Sequence, residues 1–244
     1  MRMYWVLLAS CASALPGDGK AVPEVPVQPE VEAAPGRTYA QIRSDLEARR
    51  VEIAERYKTA TDAGSRARVL EEARDEANRA LRDDLFPAWA GTTWDFYGTT
   101  QTPNDGEIAC GHYVSVVLDH AGFDVQRLKL GRQASENIIK TFSKPKDIRR
   151  FSGKSSEEVV ASVRQMGAGT FVLGLDVHAA FLISDGQTVQ MCHSSYLGTA
   201  KVLCEDAQTS PAMESNYRVV GKLFDDSMMR KWLQGASFQT VGSG

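Results

Sequence analysis

The sequence predicts an α+β protein in which helices come first and an antiparallel sheet follows. Three observations carry this expectation. Between residues 38 and 86, apolar side chains recur at helical spacing among Arg and Glu. At Cys110, a turn-rich segment gives way to an apolar helical stretch. Beyond residue 170, β-branched and aromatic runs are separated by a hairpin signal at Asp185 and Gly186.

Composition narrows the function classes. The chain has 244 residues, enough for one sizeable domain and an appendage. Its 43% hydrophobic and 24% charged content is ordinary for a globular protein. A formal charge of -3 argues against a general nucleic-acid binder, which carries a basic surplus. Beyond the first few residues no apolar run is long enough to cross a bilayer.

The N-terminal segments come first in the chain. Residues 1–11 read as a targeting segment with Arg2, a short apolar run, and then Leu8, Ala9, Ser10 and Cys11. The last four resemble a bacterial lipobox, in which Cys11 is acylated and becomes the mature N-terminus. Residues 12–37 contain Pro16, Pro23, Pro26, Pro29 and Pro35, which suits an extended tether. Residues 38–88 read as a helical hairpin. Tyr39, Ile42, Leu46, Ile53 and Tyr57 form one stripe, and residues 61–65 break it. A second helix over 66–85 turns Val69, Leu70, Ala73, Ala77, Ala80, Leu81 and Leu85 inward, and Pro87 is expected to stop it. The interleaved Arg and Glu read as a solvated face.

Residues 89–244 form the main domain. A helix from Cys110 is expected to end with Gly122 at its C′ position. Further helices are expected over 132–142 and over 156–166, the latter capped by Ser155 or Ser156. Strands are expected over 170–183, 188–196, 201–204 and 216–224, and a last helix over 226–233.

One constellation carries chemistry. Cys110 at a helix N-terminus would meet unpaired amide N–H groups and the positive dipole end, which favour a thiolate and stabilise an oxyanion. A nucleophilic thiol needs a base, and the base needs an orienter. His178 and His193 fall on adjacent antiparallel strands, where side chains on one face come within hydrogen-bond reach. His193 is the first choice of orienter. Asp176 shares a strand face with His178 at period two and is an alternative, as are Ser194 and Ser195. His112 and His120 read as peripheral helix residues, and Trp94 as a packing residue. No close Cys and His spacing suggests a metal site. With Cys11 acylated and Cys110 a nucleophile, Cys192 and Cys204 remain as a possible disulfide pair.

Tyr97, Gly98, Pro103, Gly106 and Cys110, followed by His178 and His193, together resemble the NlpC-type cell-wall cysteine peptidases. The resemblance covers roughly residues 92–200. Where that family commonly has Asp-Cys-Ser-Gly, this chain has Ala109, Cys110, Gly111 and His112. The resemblance implies a papain-like core, with an antiparallel sheet packed on the nucleophile helix. It implies Cys110, His178 and His193 as the catalytic set, with Tyr97 and Gly111 as substrate or oxyanion contacts. It also implies a peptide or amide bond of bacterial peptidoglycan as substrate, and no cofactor or metal. With the lipobox, the expected location is the cell envelope, on a lipid anchor at Cys11, with secretion as the alternative. The competing expectations are an acyltransferase or amidase acting on another substrate, and a catalytically inactive binding module on the same fold.

Overall fold

The computed structural model describes residues 36–242. The expectations for residues 1–11, including acylation of Cys11, lie outside the described residues, as does the tether up to residue 35. The described chain is α+β, with a six-stranded sheet in which every neighbouring pair is antiparallel.

Two long helices open it. Helix α1 (Tyr39–Thr59) starts at a capping box made by Thr38 and Gln41, and it buries the expected Ile42, Leu46 and Ile53. Helix α2 (Ala63–Arg79) starts earlier than expected because the Asp62 carboxylate accepts from the Ser65 amide. Pro87 does not stop the helical path. A wider π turn over Ala80–Leu85 leads into α3 (Phe86–Trp89), with the Phe86 amide reaching back to the Leu81 carbonyl. Pro87 then falls in the first turn of α3, where its missing N–H needs no acceptor.

Helix α4 (Cys110–His120) ends as its sequence suggests. Gly122 takes a positive φ of 87°, its amide bonds the Asp119 carbonyl, and the Phe123 amide bonds that of Leu118. Phe123 then stacks on Phe224 and Trp232, and the Trp232 indole donates to the Ala121 carbonyl at 2.8 Å. Trp232 belongs to α8 (Asp226–Gln234), whose cap is Asp225.

The sheet follows two short helices, α5 (Arg127–Gly131) and α6 (Ser135–Phe142). Its strands are β1 (Ile148–Ser152), β2 (Gly169–Leu175), β3 (Ala179–Ser184), β4 (Val189–Ser194), β5 (Val202–Asp206) and β6 (Tyr217–Lys222). They lie in the order β1-β6-β2-β3-β4-β5. Helix α7 (Ser156–Gln165), capped by Ser155, sits between β1 and β2 in the chain. The run over 170–183, expected as one strand, is two strands in a tight hairpin. The Leu175 amide bonds the His178 carbonyl, and the Asp176 carboxylate accepts from the amides of Asn216 and Tyr217. That polar anchor holds the chain in a turn where its apolar neighbours would have let it run on. Strand β1 and helix α5 were not expected. Edge strand β1 exposes Arg149 and Arg150 and shows little apolar alternation.

Two cores flank the sheet. Val172, Phe181, Cys192 and Val219 face α4 and the helical pair, whereas Leu173, Leu182, Met191 and Val220 face α7. His112 and His120 are both buried, contrary to the peripheral placement expected of them. For His120 the reason is a polar clasp between α1, α3 and α4. The Trp89 indole donates to the Tyr39 hydroxyl at 2.7 Å, and that hydroxyl shares a 2.8 Å hydrogen bond with His120 Nδ1. Burial, then the charges of Arg43 and Arg127, lower the His120 pKa from 6.5 to about 4.

Burial therefore favours a neutral imidazole in the clasp. As pH falls from 6.5 toward about 4, the unfolded chain takes up a proton at His120 that the folded chain refuses. Stability is expected to drop through that window and to be unaffected by His120 above it. Urea denaturation of the native protein and of Tyr39→Phe at several pH values checks this. At neutral pH the substitution is expected to cost about 1–2 kcal/mol.

Candidate active site

The segment before Cys110 is a laced loop. Asn104 and Gly106 take positive φ values of 58° and 87°, as their residue types favour. The Ile108 amide bonds the Thr93 carbonyl at 3.0 Å, and the Ala109 amide bonds the Gly98 carbonyl at 2.9 Å. The Trp94 amide bonds the Ala200 carbonyl, which ties the loop to the β4–β5 connection. Cys110 is thereby set as the first residue of α4. Its thiol lies outside the disulfide and is partly accessible. Ala109 at the N-cap position offers no side-chain hydrogen bond to the start of the helix.

His178 and His193 meet. His178 Nε2 and His193 Nδ1 lie 2.8 Å apart, with the rings nearly perpendicular and both side chains buried. The strand register explains the meeting. Phe181 pairs with Cys192, so His178, one residue before β3, is the diagonal neighbour of His193 on the same face. His193 in turn pairs with Leu203, which makes Glu205 its diagonal neighbour on β5. His193 Nε2 lies 3.1 Å from Glu205 Oε1. The Ser210 hydroxyl donates to the same oxygen and accepts from the Ala212 amide. Burial raises the Glu205 pKa, but the bonds from His193 and Ser210 outweigh it and hold the carboxyl below its ordinary range. Burial first, and then the neighbouring His193, keep the His178 imidazole neutral well below its ordinary pKa. Among the described residues, His178 Nδ1 is buried without a hydrogen-bond partner.

Alternation places this row on the α7 side of the sheet, because His193 lies between Cys192 and Ser194, which face α4. The start of α4 packs on the other face, near the same end of the sheet. Tyr113, in the first turn of α4, packs edge-on to Phe181 at 6.0 Å, and the Ser194 hydroxyl donates to the Ile108 carbonyl at 2.7 Å. Both contacts bring the start of α4 to the end of the sheet where His178 stands.

Other candidates take different places. Asp176 is spent on the β2–β3 turn, Ser194 on the Ile108 carbonyl, and Ser195 on a local turn with Leu197. None of these bonds reaches the His178 ring. Tyr97 is 83% exposed, with its ring edge-on to Phe96. Trp94 and the His178 ring both approach the half-exposed Tyr196, at 6.1 and 5.4 Å. Cys192 and Cys204 form a disulfide across the register pair of β4 and β5. Glu205 and Ser210 were missed in the sequence. The available signal was the alternation of β5, which puts Glu205 two residues from the position opposite His193. Among the described residues no group of three or more His, Cys, Asp or Glu is arranged to hold a metal ion.

Comparison with known proteins finds no matching family model, no matching curated protein and no matching solved structure.

Gly111 has a packing role that the sequence did not reveal. A methyl group there would collide with the Gly131 carbonyl at the end of α5. Gly111→Ala is therefore expected to lower the unfolding free energy by about 1–3 kcal/mol through overpacking. Urea denaturation measures it, and an unchanged midpoint would remove this account of the α4–α5 contact.

Proposed function

We propose that this chain is a cysteine hydrolase with a papain-like, NlpC-type arrangement, acting on a peptide or amide bond of bacterial peptidoglycan. The observation that carries the reading is the bare Nδ1 of His178, on a ring braced by His193, at the end of the sheet where Ser194 bonds the Ile108 carbonyl just ahead of Cys110. A buried ring nitrogen without a partner is costly unless something uses it. The proposed use is to take the proton of the Cys110 thiol.

In the proposed reaction His178 Nδ1 takes the Cys110 proton, and the thiolate attacks the substrate carbonyl carbon. The oxyanion forms toward the uncapped amides at the start of α4. His178 returns the proton to the leaving amine, and a C–S thioester replaces the C–N bond. Water, deprotonated by the same nitrogen, then releases the acid and restores the thiol. Tyr97, exposed on the loop that leads to Cys110, is the proposed substrate contact. The chain would work at the cell envelope through acylated Cys11, without a cofactor.

Two measurements check the reading. Iodoacetamide is expected to label Cys110 faster at pH 7 than it labels an unperturbed thiol, and His178→Ala is expected to abolish the excess. Purified protein is expected to release new muropeptides from peptidoglycan, whereas Cys110→Ala releases none. Identical muropeptide profiles for the two proteins would rule out the cell-wall substrate.

A further inference from the structure

The hydrogen bonds behind His178 have only one consistent direction, and Glu205 sets it. An ionised carboxylate accepts and never donates. Glu205 Oε1 lies 3.1 Å from His193 Nε2, so that nitrogen carries the hydrogen. A neutral imidazole has a single N–H, so His193 Nδ1 is a bare acceptor. It lies 2.8 Å from His178 Nε2, which must then be the donor. The remaining lone pair of His178 is on Nδ1, the buried nitrogen without a partner. The opposite direction would need a doubly protonated His193 and would strand an N–H of His178 in the interior. An orphaned buried donor is costlier and rarer than an under-used acceptor.

We propose that Glu205 is a positioning residue that acts through His193, fixing both imidazoles in the Nε2–H form so that His178 presents a lone pair at Nδ1. Ser210 supports it by donating to the same carboxylate oxygen while its own oxygen is held by the Ala212 amide. When His178 takes a proton, the Glu205 charge lies one imidazole away and stabilises the cation that forms. The hydrogen bonds set these tautomers whatever the chemistry, while their catalytic meaning rests on the reading of Cys110 and His178 as nucleophile and base.

The test is a long-range proton–nitrogen NMR correlation on protein labelled with ¹⁵N-histidine, which separates protonated from bare ring nitrogens. Native protein and Cys110→Ala are both expected to show His178 and His193 as Nε2–H with bare Nδ1. Glu205→Gln replaces the charge with an amide that can also donate. It is expected to mix the His193 tautomers and to slow iodoacetamide labelling of Cys110 roughly tenfold to a hundredfold, with little change in melting temperature. Ser210→Ala, which keeps the carboxylate, is expected to show the same two effects more weakly. A His193 ring protonated at Nδ1 in the native protein would overturn the proposal. Tautomers and labelling rates unchanged in Glu205→Gln would also overturn it. Expected tautomers in a protein whose Cys110 labels no faster than an ordinary thiol would leave the polarity standing and remove the hydrolase reading, so the two failures are distinct.

Discussion

Helix α4 is buried on every side, and the rest of the architecture encloses it. Nine of its eleven residues are buried, and only Cys110 and Asp119 are not. An all-round apolar helix in water has to be covered on more than one flank. The sheet supplies one cover through Phe181, α1 and α3 supply a second through Tyr39 and Trp89, and α8 closes the C-terminal end through Trp232. The helical pair thereby belongs to the same core as the sheet and is not a separate appendage hinged on it. Only its two ends remain partly open, at Asp119 in the last turn and at Cys110 in the first.

Much of this could be read from the sequence where local chemistry and tertiary packing agree. The Ser155 cap of α7 and the hairpin at Asp185 are set by side chains bonding nearby backbone, the Gly122 stop of α4 by a positive φ, and the stripe of α1 by helical spacing. The readings failed where one local rule was overridden by a distant partner. Pro87 was expected to end a helix, but the preceding π turn absorbs it. The apolar run through residue 178 looked like one strand, yet Asp176 is claimed by amides forty residues on in the chain. His120 looked peripheral by spacing because nothing near it in sequence announces Tyr39, its partner.

The same division runs through the site. The approach of His178 to His193 followed from a hairpin and a period of two, which are local facts. The third group did not. Asp176 was the nearest carboxylate in sequence, but the one that reaches the row is Glu205 on the next strand. Finding it requires the β4–β5 register, which turns on where the chain between Tyr196 and Val202 bends back. Gly111 illustrates a different limit. Its place after the cysteine suggested an oxyanion amide, whereas the structure shows that its missing side chain admits the Gly131 carbonyl.

That register is the weak point of the row, because β5 is an edge strand and edges slip. A shift of one residue would carry Glu205 to the opposite face and put Cys204 or Asp206 at the wrong level for His193. The disulfide between Cys192 and Cys204 prevents that shift, since the bridged residues are a direct register pair immediately beside His193 and Glu205. Non-covalent ties reinforce it from the other end. The Val202 amide bonds the Thr92 carbonyl and the Gly91 amide bonds that of Val202, joining β5 to the segment that leads to the Cys110 loop. Strand β5 is therefore held to both halves of the site. It is bridged to the strand that bears His193, and it is hydrogen-bonded to the chain that delivers the cysteine.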